Sequence, residues 1–358
     1  MKRTIPIVPI DQDIDPSQRP MELIIRPTEA CNFKCTFCSS TQISDDHSMV
    51  MDLERVFAFL KKFPNTSTII VNGGDPLMVK PEYYWKLIAF LDEHDMATTI
   101  SFTSNLWPFY KRPDIWTELF HHERMGITTS FHYGDTRLKG DLSVFTEEDF
   151  WKVSDAMLEH VGYRPDFISV ITEENEDTAI DNVYLAQKMD VECKLNYAMA
   201  SGDQSKPYQL SKIYETYLQI YDLGLTEWEF NTKQMVRRLQ LGNTVCPQSR
   251  SCDSYIRALN PGGDYYSCAA FADDASHSID FNAEVFGDKV FTPLSDDYNL
   301  LSMKDECLTC PMFTICNGCH KTIRDMKEHN MVEEHCSLMK QLAPKILEIN
   351  NDPNNCFD

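Results

Sequence analysis

The sequence predicts an α/β fold on a parallel sheet, followed by a second, cysteine-rich region. Three observations carry that expectation. From residue 21 to residue 202, short β-branched runs alternate with amphipathic segments, the pattern of strand-helix units. Beyond Gly242 this periodicity gives way to Cys, Pro, Gly and Asp. The 13 cysteines divide the same way: three lie from Cys31 to Cys38, eight from Cys246 to Cys336, and only Cys193 and Cys356 stand apart.

Residues 21–25 read as the first strand. Leu53, Val56, Phe57 and Leu60 then recur at helical spacing until Pro64 stops that helix. Residues 68–71 form the second strand, and Tyr84, Leu87, Ile88 and Leu91 the apolar stripe of the second helix. A third strand is expected at 98–104, a third helix at 115–124 and a fourth strand at 126–133. Thr146, with Asp149 three residues on, is an N-cap with an acidic first turn, and its helix runs through Val161 to close at Gly162. A fifth strand at 167–172, a helix at 179–189, a sixth strand at 193–200 and a helix at 210–223 complete the series. Such alternation can close into a full or partial barrel or stay an open doubly wound sheet, and the pattern alone does not choose.

Composition narrows the function. At 358 residues the chain is long enough for roughly two domains of about 150 residues, and 42% apolar content is ample for a buried core, although the region beyond Gly242 is expected to be held by metal rather than by a large apolar core. The 33 basic and 55 acidic residues leave a net charge of -22, which offers no broad electrostatic footprint for extended nucleic acid. No apolar run approaches the roughly 20 residues of a membrane span, and Pro6, Pro9, Asp11, Asp13 and Asp15 interrupt any signal peptide. A cytoplasmic, reducing compartment is therefore expected, where clustered thiols hold metal rather than pair as disulfides. The polar tail after about residue 350 is expected to fray.

Cys31, Cys35 and Cys38 put three thiols in eight residues directly after the first strand, at the strand end where such folds place chemistry. Zinc sites and ordinary ferredoxin clusters take four protein ligands, so three leave one metal position open to a ligand from solution. A zinc loop with its fourth ligand elsewhere accounts for the same three residues. The C-x3-C-x2-C spacing, with Phe37 just before the last cysteine, resembles the radical S-adenosylmethionine (radical SAM) superfamily over about 200 residues.

The resemblance implies a partial (β/α)6 barrel in which three thiolates hold a 4Fe-4S cluster and S-adenosylmethionine chelates the fourth iron. One electron, from an external flavodoxin- or ferredoxin-type donor, then yields a 5′-deoxyadenosyl radical that abstracts a substrate hydrogen. Gly73, Gly74, Asp75 and Pro76 match the family's G-G-E-P motif, with Asp for Glu, in a loop expected to receive the cofactor amine. Ser104 and Asn105 stand where the family has T-N-G, with Leu106 in place of the glycine. Ser130 and His132 stand where polar groups reach the ribose or carboxylate, His132 being a common Asp position and equally readable as a structural histidine.

The later cysteines run Cys246-x5-Cys252-x15-Cys268-x38-Cys307-x2-Cys310-x5-Cys316-x2-Cys319-x16-Cys336, too many for one site. The five-residue gap between the two C-x2-C pairs is shorter than the roughly 12 or more residues of zinc-finger pairs. This array, with Gly263 five residues before Cys268, closely resembles the SPASM domain of radical SAM enzymes. By that resemblance Cys246, Cys252, Cys268 and Cys319 hold one auxiliary 4Fe-4S cluster, and Cys307, Cys310, Cys316 and Cys336 the other, giving three clusters in all. The expected divisions are an extension at 1–20, the partial barrel at 21–240, the auxiliary-cluster region at 241–345 and a tail at 346–358.

Proteins with both regions mostly modify peptides, and a peptide C–H bond is the expected target, by crosslinking, epimerisation or oxidation. A nucleotide or other small metabolite is the alternative, and a non-enzymatic electron-transfer or zinc-stapled protein the remote one. The sulfatase-maturing branch carries an Asp after the cysteine matching Cys268, where this chain has Ala269. Only 20 residues precede the first strand, against the longer leader-binding domain of many peptide modifiers. Cys193, unused as a ligand, is either a small buried hydrophobe or a hydrogen-atom donor or thioether partner for a substrate radical.

Overall fold

The computed structural model describes residues 20–38, 48–200, 206–241, 255–285 and 320–352, with Cys310 and Asn355. Strand-helix units follow one another in the order β1 (Met21–Ile25), α1 (Leu53–Lys62), β2 (Thr66–Val71), α2 (Pro81–Glu93) and β3 (Thr99–Thr103). Next come α3 (Trp107–Lys111), α4 (Pro113–Phe120), β4 (Met125–Ser130), α5 (Glu147–Val161), β5 (Phe167–Ile171), α6 (Ala179–Met189) and β6 (Cys193–Tyr197). Two helices close the series, α7 (Leu210–Asp222) and α8 (Phe230–Leu241). After them stand β7 (Ile256–Leu259), β8 (Tyr265–Tyr266), α9 (Ala269–Asp273), α10 (His320–Glu328) and α11 (Val332–Asn351).

One eight-stranded sheet in the order β6-β5-β4-β3-β2-β1-β7-β8 curls into a half-barrel with the helices packed outside. β1 to β6 pair in parallel, so all six carboxyl ends and their loops gather at one rim. The six expected strands are found, most of them one to three residues shorter. The fourth stops at Ser130, which leaves His132 in the loop beyond it.

Local chemistry explains the boundaries. At α5 the Thr146 hydroxyl accepts from the Asp149 N–H and the Asp149 carboxylate from the Thr146 N–H, both at 3.3 Å, a reciprocal capping box. Gly162 then leaves the helix at φ 95°, a left-handed turn that costs glycine little. The α8 helix, which the sequence left as a boundary, is anchored by the buried Glu229 carboxylate. That group accepts from the N–H of Leu195, Asn231 and Thr232 and so ties the helix start to β6.

The start of the cysteine-rich region is joined to the barrel. Instead of standing apart, its first strand β7 pairs in parallel with β1 and extends the barrel sheet. Alternation along β1 sends Leu23 and Ile25 into the main core, while Ile24 meets Ala258, Tyr266, Phe271 and Ala272 in a small second cluster. Arg257, which hides the strand from a hydropathy reading, is buried because Glu284 and the Tyr265 hydroxyl complete its charge network.

Candidate active site

The loop carrying Cys31, Cys35 and Cys38 leaves the carboxyl end of β1 and is pinned to the segment after β4. Lys34 N–H donates to the Leu138 carbonyl at 2.8 Å and Thr36 N–H to that of Thr136 at 3.1 Å. Each thiol is part-buried. Burial raises the Cys31 pKa, and the nearby Asp75 carboxylate and the other two thiolates raise it further. Cys35 is also raised by burial, an effect that the Arg137 guanidinium opposes. Among the described residues no three His, Cys, Asp or Glu side chains form a ready-made metal cage.

Gly73 and Gly74 do not lie open. At Gly73, φ is 117° and a Cβ would stand 2.6 Å from the Thr28 carbonyl, while at Gly74 it would overlap that of Ala30. The close approach that demands glycine is thus to the chain entering the cysteine loop, clamped by Gly74 N–H to Thr28 O and Asp75 N–H to Ala30 O, both 2.9 Å. Asp75 is 2% exposed and turned inward. It accepts from Leu77 N–H (2.9 Å), Asn105 N–H (2.9 Å) and the Ser104 hydroxyl (3.0 Å), joining the ends of β2 and β3. Burial outweighs these bonds and pushes its pKa up to about 6. The Asn105 side chain in turn pairs with Asn32 at 2.8 Å, so the strand-three loop touches the cysteine loop directly. Leu106, in the glycine position, adopts φ 55° with its side chain fully buried.

Ser130 closes β4 and accepts from the Arg137 guanidinium at 2.9 Å. Phe37 meets the His132 ring edge-on at a 4.9 Å centroid separation, and the Arg137 guanidinium lies over the Phe37 ring, 5.3 Å from its centroid. His132 is fully buried with Nε2 on the Thr136 hydroxyl at 2.9 Å. Burial, then Arg137, hold its pKa well below the usual histidine range, so it is neutral. Four buried polar atoms here have no hydrogen-bond partner among the described residues: His132 Nδ1, Arg137 Nε, Thr129 Oγ1 and Thr36 Oγ1.

Arg26 and Arg137, both buried, are the residues that sequence reasoning missed. Burial lowers the pKa of each, to about 10 for Arg26, and thiolates oppose it: Cys38 at Arg26, and Cys35, Cys38 and Cys31 at Arg137. Arg26, five residues before Cys31, was the available signal, whereas Arg137 lies 99 residues beyond Cys38 and gave none.

Elsewhere, Cys268 caps the short α9 by accepting from the Ala270 N–H, and Gly263, at φ 91°, turns the β7–β8 hairpin against Arg55. Cys310 and Cys336 are part-buried. Cys246, Cys252, Cys307, Cys316, Cys319 and Cys356 lie outside the described residues. Cys193 is fully buried at the amino end of β6, opposite the rim that bears the cysteine triplet, and burial raises its thiol pKa steeply.

Residues 25–185 match the radical SAM superfamily. The chain thus carries a radical SAM domain and is an enzyme. Such an enzyme works with S-adenosylmethionine and an iron-sulfur cluster. This one is 20% identical over 374 aligned residues to the cysteine-type anaerobic sulfatase-maturating enzyme of Clostridium perfringens, across 93% of this chain and 99% of that one. A shorter stretch of 105 residues, 27% of this chain and 30% of the relative, is 30% identical to the GTP 3',8-cyclase of Staphylococcus carnosus. Among solved structures, anSMEcpe with bound AdoMet and the Kp18Cys peptide superposes with a TM-score of 0.67 at 16% identity, covering 93% of this chain and all of its own. SuiB of Streptococcus suis bound to precursor peptide SuiA gives 0.56 at 16%, covering 84% and 72%. At these identities the likeness establishes the shared half-barrel fold. Among the described residues no helix is long and apolar enough to cross a membrane.

Proposed function

We propose that this radical SAM enzyme modifies an unactivated C–H bond in a peptide, by crosslinking, epimerisation or oxidation. The observation that carries the reading is the cysteine triplet at the half-barrel rim, in a chain aligned nearly end to end with an enzyme whose structure holds AdoMet and a peptide. Cys31, Cys35 and Cys38 would hold the first 4Fe-4S cluster. The donor chemistry fits, since the thiols leave one metal position open and two buried guanidiniums offset the charge of thiolate-held iron. When bound, cluster and S-adenosylmethionine supply a carbon-centred radical able to take a hydrogen atom from carbon.

The chain's own residues fit that cofactor too. His132 Nδ1, Arg137 Nε and Thr129 Oγ1 are buried donors and acceptors of the kind that native structures pair, and a polar ligand at the rim satisfies them. Phe37, Ser130 and His132 would bind it, with the backbone of Gly73, Gly74, Asp75 and Pro76. Ser104 and Asn105 would position that loop through Asp75. Cys246, Cys252, Cys268, Cys307, Cys310, Cys316, Cys319 and Cys336 would hold two auxiliary clusters in a region of residues 241–345. In place of an acid directly after Cys268, the first acid that follows is Asp273, five residues later, and it is ion-paired with Arg26. That arrangement supports a peptide reaction other than sulfatase maturation.

The local similarity to a GTP cyclase favours a nucleotide as the second reading. Anaerobic incubation with S-adenosylmethionine, a flavodoxin-type donor and either a pool of short peptides or GTP separates the two. We expect peptide-dependent 5′-deoxyadenosine together with either a peptide lighter by loss of hydrogen, for crosslinking or oxidation, or an isobaric peptide with an inverted stereocentre, for epimerisation. Turnover with GTP and with no peptide would overturn the peptide assignment.

A further inference from the structure

We infer that Arg26 sets the reduction potential of the cluster at Cys31, Cys35 and Cys38, with Asp273 holding Arg26 in place and moderating its charge. The inference rests on the reading of that triplet as the cluster site and gives a role to a residue outside its ligands. Arg26 is the first residue after β1, and its N–H donates to the Leu259 carbonyl at 3.1 Å, which locks the backbone between β1 and β7. Beneath it lies Gly73, where an added Cβ would stand 3.2 Å from the Arg26 Cβ, so the GG turn is folded against this arginine. The side chain is 3% exposed and forms an ion pair with Asp273, the last residue of the short helix that Cys268 opens.

Burying a guanidinium is costly unless negative charge and acceptors surround it. Asp273 supplies one partner, yet Nε and Nη1 are buried without a hydrogen-bond partner among the described residues. The charged groups that bear on Arg26 besides Asp273 are Cys38, Glu29 and the Tyr266 phenol. A cluster held by thiolates is anionic and gains one more negative charge on reduction, so a fixed cation nearby favours the reduced state. An anion paired with that cation works against it. Arg26 and Asp273 therefore push the potential in opposite directions.

A purely structural staple between β1 and α9 would also bury this pair. It predicts lost stability in either variant and no ordered movement of the potential. The signs separate the two accounts.

The test is an EPR-monitored redox titration of the full chain, anaerobically reconstituted, taking as the signal of interest the one absent from the Cys35→Ala variant. Arg26→Met is expected to move that midpoint to a more negative potential, Asp273→Asn to a more positive one, and Arg26→Lys to leave it near the parent value. Where Arg26→Met fails to fold, Asp273→Asn reads the sign alone, because the substitution keeps shape and removes charge. Unchanged midpoints, or movement of both variants in one direction, would overturn the inference. A parent chain without any Cys35-dependent signal would overturn it too, by removing the cluster assignment beneath it.

Discussion

The half-barrel and the cysteine-rich segment hold their functional loops by different means. At the rim, backbone does the work: Gly74 to Thr28, Asp75 to Ala30, Lys34 to Leu138 and Thr36 to Thr136 lace three loops together over a large apolar core. Helix α11 packs Met339, Ala343, Ile346 and Ile349 into that same core, whereas over residues 255–285 and 320–328 the second apolar cluster is small and buried or half-buried charges take over. Arg257 pairs with Glu284, Arg26 with Asp273, and Asp274 with both Lys321 (3.1 Å) and Arg324 (2.6 Å). A fold stapled by charges and thiols depends on its partners being present; one built on hydrophobic packing carries its stability with it.

Removing metal should expose this difference most. After oxidation and chelation of a chain expected to bind about twelve irons in three 4Fe-4S clusters, amide exchange should accelerate in residues 255–285 and 320–328 while β1 to β6 stay protected. Equal acceleration in both would end the comparison. Arg257→Met, which strands the buried Glu284 carboxylate, should cost about 3–5 kcal/mol in urea unfolding of that region. A loss within about 0.5 kcal/mol would show the pair to be dispensable.

Asp75 sharpens the contrast from the barrel side. Its folded pKa of about 6 lies above the usual carboxylate value, so the folded chain binds its proton more tightly than the unfolded one. Its contribution is thus greatest at low pH and declines as pH rises between about 4 and about 6, by up to about 3 kcal/mol. Asp75→Asn should remove that component, read as the pH dependence of the stability difference from the parent; a flat difference would contradict it. The smallest effect is at Leu106. Its left-handed backbone costs about 1–2 kcal/mol for a side-chain-bearing residue, so Leu106→Gly should destabilise less than Leu106→Ala, although both lose the buried side chain. The reverse order would deny the strain.

Wherever a local pattern decided the outcome, the sequence announced it. The strand-helix series, the Thr146 and Asp149 capping box and the Gly162 stop appear where spacing put them, because each rests on residues within a turn or two of one another. The elements that escaped depend on distant partners. β7 reads as broken by Arg257 until Glu284, 27 residues on, neutralises it, and α3 is too short and too rich in aromatics and proline to show a period. At the site, the cysteine triplet and GGDP loop were recognisable as strings. That Gly73 and Gly74 serve the chain entering the cysteine loop, and that Arg26 and Arg137 stand beside the thiols, follows only from the curl of the sheet. Cys193 could be weighed from its strand position alone, and its burial at the amino end of β6 agrees with the packed-core alternative.

The central claim is that Cys31, Cys35 and Cys38 hold the cluster that drives reductive cleavage of S-adenosylmethionine. The most direct measurement is anaerobic 5′-deoxyadenosine formation with dithionite by the reconstituted parent and by Cys35→Ala, with iron content measured on both. We expect product from the parent, none above the enzyme-free rate from the variant, and loss of about four of its irons. Product at the parental rate from Cys35→Ala would contradict the assignment.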